Sequence, residues 1–232
     1  MLDLNQFEWI SFDCYGTLID WESGILGYVQ PLLQSKDRAL TEAEILRMYS
    51  EFEPGEQAQP YRSYCDILAS VVRDFAHELR FEVSDQEATG LADSIRGWQP
   101  FSDTIPALRI LKHKYKVAIL SNIDDELFAF SAEKLQVPFD CVVTAQQARG
   151  YKPSANNFEL LLQRLAIPRS RLLHVAESLY HDVAPASALG IKAVWVNRRG
   201  EKNAAASKFV SATPDMKVRD LSELAARVEP VL

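Results

Sequence analysis

The stretch Trp9-Ile10-Ser11-Phe12-Asp13-Cys14-Tyr15-Gly16-Thr17-Leu18-Ile19 decides the fold. A mainly apolar run ends in one aspartate, and a glycine-containing turn follows at once. It reads as a short buried strand that delivers Asp13 to the lip of a sheet, where Gly16 lets the backbone bend and leaves amide groups to face an anion. An attacking carboxylate belongs at such a place, although an aspartate after a buried strand also serves as a turn cap.

Working outward, strand-like runs at 116–120, 141–144, 172–176 and 193–196 join that of 9–12, with helical patterns at 105–112, 125–135 and 156–165 between most of them. Alternation of this kind makes an α/β fold, a doubly wound parallel sheet that binds ligands at the carboxyl ends of its strands. Asp13, Ser121 and Glu177 fall at or just beyond such ends. Residues 21–99 break the pattern and read as almost pure helix, with Thr41-x-x-Glu44 and Ser84-x-x-Glu87 as capping boxes. Two domains are expected: an α/β core of residues 1–20 and 100–232, and an all-helical insertion, 21–99, hinged near 20–21 and 98–102. Residues 200–211, rich in alanine, serine and lysine, read as an exposed mobile loop before a helix at 221–228.

Composition narrows the class. With 232 residues, 47% hydrophobic and 25% charged, the chain can bury one substantial core and carry a smaller accessory domain. A net charge of −7 argues against nucleic acid or an anionic membrane as partner, while leaving a small anionic substrate open to a local basic cluster. The three cysteines, Cys14, Cys65 and Cys141, lack metal-ligand spacing and read as reduced thiols, Cys14 as a small core residue. No basic leader with an apolar core and no run of membrane-spanning length is read, so a cytoplasmic location is expected.

Three further motifs follow strands. Val117-Ala118-Ile119-Leu120-Ser121-Asn122 ends in a hydroxyl and an amide that can hold an anion or cap the next helix. Gly150-Tyr151-Lys152-Pro153 fixes the backbone where a lysine must point inward to offset negative charge. Leu173-His174-Val175-Ala176-Glu177-Ser178-Leu179-Tyr180-His181-Asp182 gathers two acids after a strand; His181 reads as a residue near a helix start and His174 as structural.

Together the four motifs resemble those of the haloacid dehalogenase superfamily, and Tyr15, two residues after the aspartate, resembles its L-2-haloacid dehalogenase branch. Phosphatases of the superfamily carry a second aspartate there, because an alkoxide leaving group needs a proton. Halide is a very weak base and leaves unprotonated. The resemblance implies a Rossmann-like core with a helical cap over the site, and a hydrolase that converts L-2-haloacids to D-2-hydroxyacids through an Asp13 ester. It implies catalytic roles for Asp13, Thr17, Ser121, Asn122, Lys152, Glu177, Ser178 and Asp182. Tyr15 and Asn122 would line the substrate, and a cap arginine, Arg47 or Arg62, would hold its carboxylate. No metal or other cofactor is implied, and homodimers are common in the family.

The chain departs from the pattern in three places. The fourth motif has one residue extra, and it offers Glu177 and Ser178 where serine and asparagine are usual. Phe158 stands where the dehalogenases place a tyrosine six residues after the lysine. Glu177 either helps to activate water or joins Asp182 and Asp13 around magnesium, as in a phosphatase acting on a small phosphorylated metabolite. A third reading is a non-catalytic binding protein on the same scaffold.

Overall fold

The computed structural model describes residues 2–200 and 212–228. Its centre is β1 (Trp9–Phe12), with β2 (Lys116–Ser121) on one side and β4 (Leu172–Ala176) on the other. β3 (Cys141–Thr144) lies outside β2, and β5 (Lys192–Val196) and β6 (Met216–Val218) extend the sheet beyond β4, giving the order β3-β2-β1-β4-β5-β6. Every pairing is parallel. The chain therefore winds outward from β1 first one way and then the other. The gap between β1 and β4 is the switch point at which such sheets open a crevice.

The two-residue period of a strand divides the core between the two faces. Ile10, Phe12, Val117, Ile119, Leu173 and Val175 enter one apolar cluster, whereas Trp9, Ala118, Leu120, Leu172 and Ala193 enter the other. Helices α5 (Thr104–Lys114) and α6 (Asp125–Leu135) supply the first cluster, and α8 (Ala155–Leu165) the second. On the second face Ser11 and His174 interrupt the apolar surface; both are fully buried and their side chains meet at 2.8 Å.

The helical stretch contains α1 (Trp21–Ser35), α2 (Glu42–Gln57), α3 (Tyr64–Leu79) and α4 (Asp85–Ser94), which pack on one another. Both expected capping boxes form, at Thr41 and Ser84. The chain leaves and rejoins the sheet side by side, with Ile19 bridged to Pro100 and the Asp20 amide donating to the Gln99 carbonyl at 2.9 Å.

The doubly wound sheet and the helical insertion stand as expected. The sequence did not signal β6 or α7 (Ala145–Ala148), because three or four residues are too few to display a period. The last two helices are α9 (Ala184–Ala188) and α10 (Leu221–Ala226), the latter ending two residues before the expected boundary. Residues 201–211, most of the expected mobile loop, lie outside the described residues. Among the described residues no helix is long and apolar enough to cross a membrane.

Candidate active site

Asp13 continues β1 by one residue, its amide donating to the Val175 carbonyl at 3.1 Å. That bond fixes the direction in which its side chain leaves the sheet. One carboxylate oxygen accepts from the Thr17 hydroxyl at 2.8 Å and the other from the Lys152 ammonium at 2.8 Å. The turn between them needs Gly16, whose φ is +95° and whose missing Cβ would stand 3.0 Å from the Trp21 indole nitrogen. The Gly16 amide itself donates to the Ile19 carbonyl at 2.8 Å, so it does not face an anion as the sequence suggested.

Lys152 is 1% exposed and has three acceptors: Asp13, the Leu120 carbonyl at 2.8 Å, and Asp182 at 2.6 Å. Asn122 clamps the lysine backbone, taking its N–H at 2.7 Å and donating to its carbonyl at 3.1 Å. Asn122 thus aims Lys152 besides lining the cavity. The Asp182 oxygen that binds Lys152 also meets His174 Nε2 at 2.9 Å, and His174 Nδ1 meets Ser11. A carboxylate only accepts, so Nε2 carries a proton, and in the neutral ring Nδ1 accepts from the serine. Phe158 packs edge-on against this imidazole at 5.1 Å instead of reaching the cavity.

Burial sets the ionisation of these groups, and the lysine divides it. Burial pushes the Asp13 carboxyl up, against the pull of Lys152. Burial acts on Asp182 too, but Lys152 and His174 outweigh it and hold that carboxyl at about 2. Burial works to lower Lys152, and the two aspartates more than reverse it.

Glu177 begins beyond β4, its amide donating to Thr17 Oγ1 at 2.9 Å. Thr17 therefore links the backbone of Glu177 to the carboxylate of Asp13. Burial raises the Glu177 carboxyl to about 7, although Arg199 lies 3.4 Å away. Ser178 caps the turn after it by accepting from the His181 amide at 3.0 Å. Residues Leu179–Val183 then form one π-helical turn, a backbone form that takes up a single additional residue.

These groups open on a cavity of about 150 Å³. It is lined by Asp13, Ser121, Asn122, Lys152, Glu177, Ser178 and Asp182 from the sheet side, and by Trp21, Tyr49, Glu53, Tyr64 and Trp98 from the helical stretch. Ser121 is 1% exposed and its hydroxyl has no hydrogen-bond partner among the described residues. The Tyr15 ring stands edge-on to Trp98 at 5.7 Å, and its hydroxyl meets Ser131 at 2.8 Å.

The expected cap arginine is not in the cavity. Arg47 projects into solvent, 61% exposed, and pairs with Glu51 at 2.7 Å. It lies two residues from both Ile45 and Tyr49, which with Met48 are the buried positions of α2, and so faces away from that side of the helix. Arg62 pairs with Glu56 and bonds Ser70. Sequence reading missed Glu53, which follows Ile45 and Tyr49 at four-residue spacing, and Arg199, just past the carboxyl end of β5. It also missed the link from His174 to Asp182.

Two kinds of comparison agree with this geometry. The sequence model described as hydrolase, haloacid dehalogenase-like hydrolase, matches residues 7–190. A curated (S)-2-haloacid dehalogenase from Pseudomonas sp. (strain YL) is 25% identical over 94% of this chain and 93% of its own. The (S)-2-haloacid dehalogenase H-109 of Pseudomonas putida is 27% identical over 95% of this chain and 97% of its own. Among solved structures, the L-2-haloacid dehalogenase of Xanthobacter autotrophicus superposes with a TM-score of 0.83 at 18% identity, covering 97% of this chain and 100% of that one. With the family model spanning β1 to β4, the helical insertion and all four motifs, the chain belongs to the haloacid dehalogenase-like hydrolases.

Proposed function

We propose that the protein is a metal-independent hydrolytic dehalogenase of the 2-haloacid type, working through an ester on Asp13. The observation that carries this reading is the state of Tyr15. Its hydroxyl is spent on Ser131, and burial pushes it well above the usual phenol range, so it is a poor acid for protonating an alkoxide. A carboxylate poised beside such a residue suits a leaving group that departs unprotonated. The names of the curated relatives, (S)-2-haloacid dehalogenase, support the same chemistry.

In this mechanism an Asp13 oxygen attacks C2 as the carbon–halogen bond breaks, and halide leaves with the bonding pair. C2 inverts, so an L-2-haloacid yields a D-2-hydroxyacid. Thr17 and Lys152 hold the attacking carboxylate, and Asn122 and Asp182 hold Lys152. Water then attacks the carboxyl carbon of the ester while Glu177 takes its proton, and as the acyl carbon–oxygen bond breaks Glu177 returns that proton to the departing alkoxide, which frees the hydroxyacid and restores the Asp13 carboxylate. Glu177 suits that step better than Asp182, because a base at about 7 accepts a proton near neutrality and one at about 2 does not. Ser178 and Ser121 line the same cavity. Residues 21–99 act as the cap that excludes bulk water during the displacement.

A magnesium-dependent phosphatase is less well served by the donor set. Lys152 takes an oxygen of both Asp13 and Asp182, and Glu177 faces Arg199. Among the described residues no three His, Cys, Asp or Glu side chains are gathered as ligands. The deciding assay measures halide release from L-2-chloropropionate with and without EDTA, beside phosphate release from a phosphomonoester with magnesium. Halide release indifferent to EDTA is expected; phosphate release abolished by EDTA would replace this reading with the phosphatase.

The Glu177 assignment has its own signature. A base must be ionised to act, so ester hydrolysis should rise with pH through about 7 and level off above it. Glu177→Gln should lower turnover on the order of a hundredfold and flatten that limb. An unchanged pH profile in the variant would move the base elsewhere.

A further inference from the structure

The cavity carries more negative groups than its cations can match. Asp13, Glu53, Glu177 and Asp182 face it, against Lys152 and Arg199. Both cations are engaged: Lys152 by the two aspartates, and Arg199 by Glu22 at 2.8 Å and Glu177 at 3.4 Å. The helical side adds the carboxyl of Glu53 where an arginine was expected. Glu53 accepts from Tyr64 Oη at 2.9 Å and from Gln57 Nε2 at 2.9 Å, and none of its partners among the described residues is a cation.

Aromatic residues line the cavity with that carboxyl. Tyr49 and Tyr64 join their hydroxyls at 3.0 Å, and the Tyr49 ring packs on Trp21 at 5.5 Å. Trp98 also lines the cavity. A carboxylate in an aromatic-lined cavity attracts an organic cation and repels an anion. The rings already show this preference, since the Arg199 guanidinium lies over Trp21 at 5.2 Å. At the sheet end the unpartnered Ser121 hydroxyl, also lining the cavity, is a buried donor that awaits a substrate atom.

We propose that the cap end of the cavity, Glu53 with Trp21, Tyr49, Tyr64 and Trp98, binds an ammonium group of the substrate. The inference rests on the Asp13 displacement chemistry above and narrows only the preferred substrate: a 2-haloacyl compound bearing a cationic amine, favoured over the bare 2-haloacid. The cavity volume of about 150 Å³ suits such a molecule, being about that of a benzene-sized guest. Burial raises Glu53 to about 7, and an arriving cation favours its ionised form.

The test uses three probes of one size, n-butylammonium, butyramide and butyrate, titrated against tryptophan fluorescence at a pH above that of Glu53. Binding is read without turnover, so it stands apart from the dehalogenase assay. The expected order is ammonium, then amide, then carboxylate, with about tenfold or more between first and last, the worth of one charge-assisted contact. Glu53→Gln should erase the lead of the ammonium, whereas Arg47→Gln should leave it. Butyrate binding as tightly as butylammonium, or an ammonium preference that survives Glu53→Gln, would overturn the proposal. Should the ammonium preference hold while no halide is released from any 2-haloacyl substrate, the displacement chemistry fails and the cation site stands.

Discussion

Asp13→Asn should lose halide release by about ten-thousand-fold or more, the scale seen when a covalent nucleophile is removed. The loss should come without a loss of fold. Asparagine fits the same space: its carbonyl accepts from Lys152, its NH2 donates to the Thr17 hydroxyl oxygen, and Lys152 keeps Asp182 and the Leu120 carbonyl. Because burial pushes the Asp13 carboxyl up, ionised Asp13 costs stability at neutral pH, and the variant should melt no lower than the parent. A single turnover in heavy-oxygen water distinguishes an ester from direct attack by water. With an ester, the first product carries an Asp13 oxygen and the label enters Asp13. Label found only in the first product would sink the nucleophile assignment.

Lys152→Met should damage both stability and catalysis. The substitution removes the cation that two buried carboxylates share, and breaking a buried ion pair in this way costs about 3–5 kcal/mol. Turnover should fall on the order of a hundred- to a thousandfold, the usual loss when a preorganised charge is taken from a site. The pH profile supplies a readout that simple misfolding lacks. Removing a cation raises the carboxyls beside it, and Asp13 must be ionised to attack. The acid limb of the displacement should therefore move to higher pH in the variant. Residual activity with an unmoved limb would mean that Lys152 is structural only.

Much of this was legible along the chain, for physical reasons. Asp13, Ser121 and Glu177 end strands of buried residues, and in a doubly wound sheet strand ends converge. Lys152 was readable from its setting before Pro153. The helical stretch was legible as helix, but its inward face was misjudged. The apolar stripe through Ile45 and Tyr49 continues to Glu53 and turns Arg47 outward, so the four-residue period held the answer that the family resemblance obscured. His174 was harder to see: its meaning depends on Ser11 and Asp182, which only the register Ser11↔His174 brings to it. Arg199 follows a strand with no motif of its own, and nothing in the chain announces its pairing with Glu22 and Glu177.

The strand order also governs how the enzyme is made. β1 is bracketed by β2 and β4, whose pairings Trp9↔Lys116 and Trp9↔Leu172 join points far apart along the chain. Closing such loops is entropically slow, whereas the helix pair of α3 and α4 is local and quick to form. On dilution from denaturant, helical circular dichroism should return first and halide release last, and simultaneous recovery would show that the order is wrong. On that order a nascent chain would finish its helices before the sheet that carries Asp13 has closed.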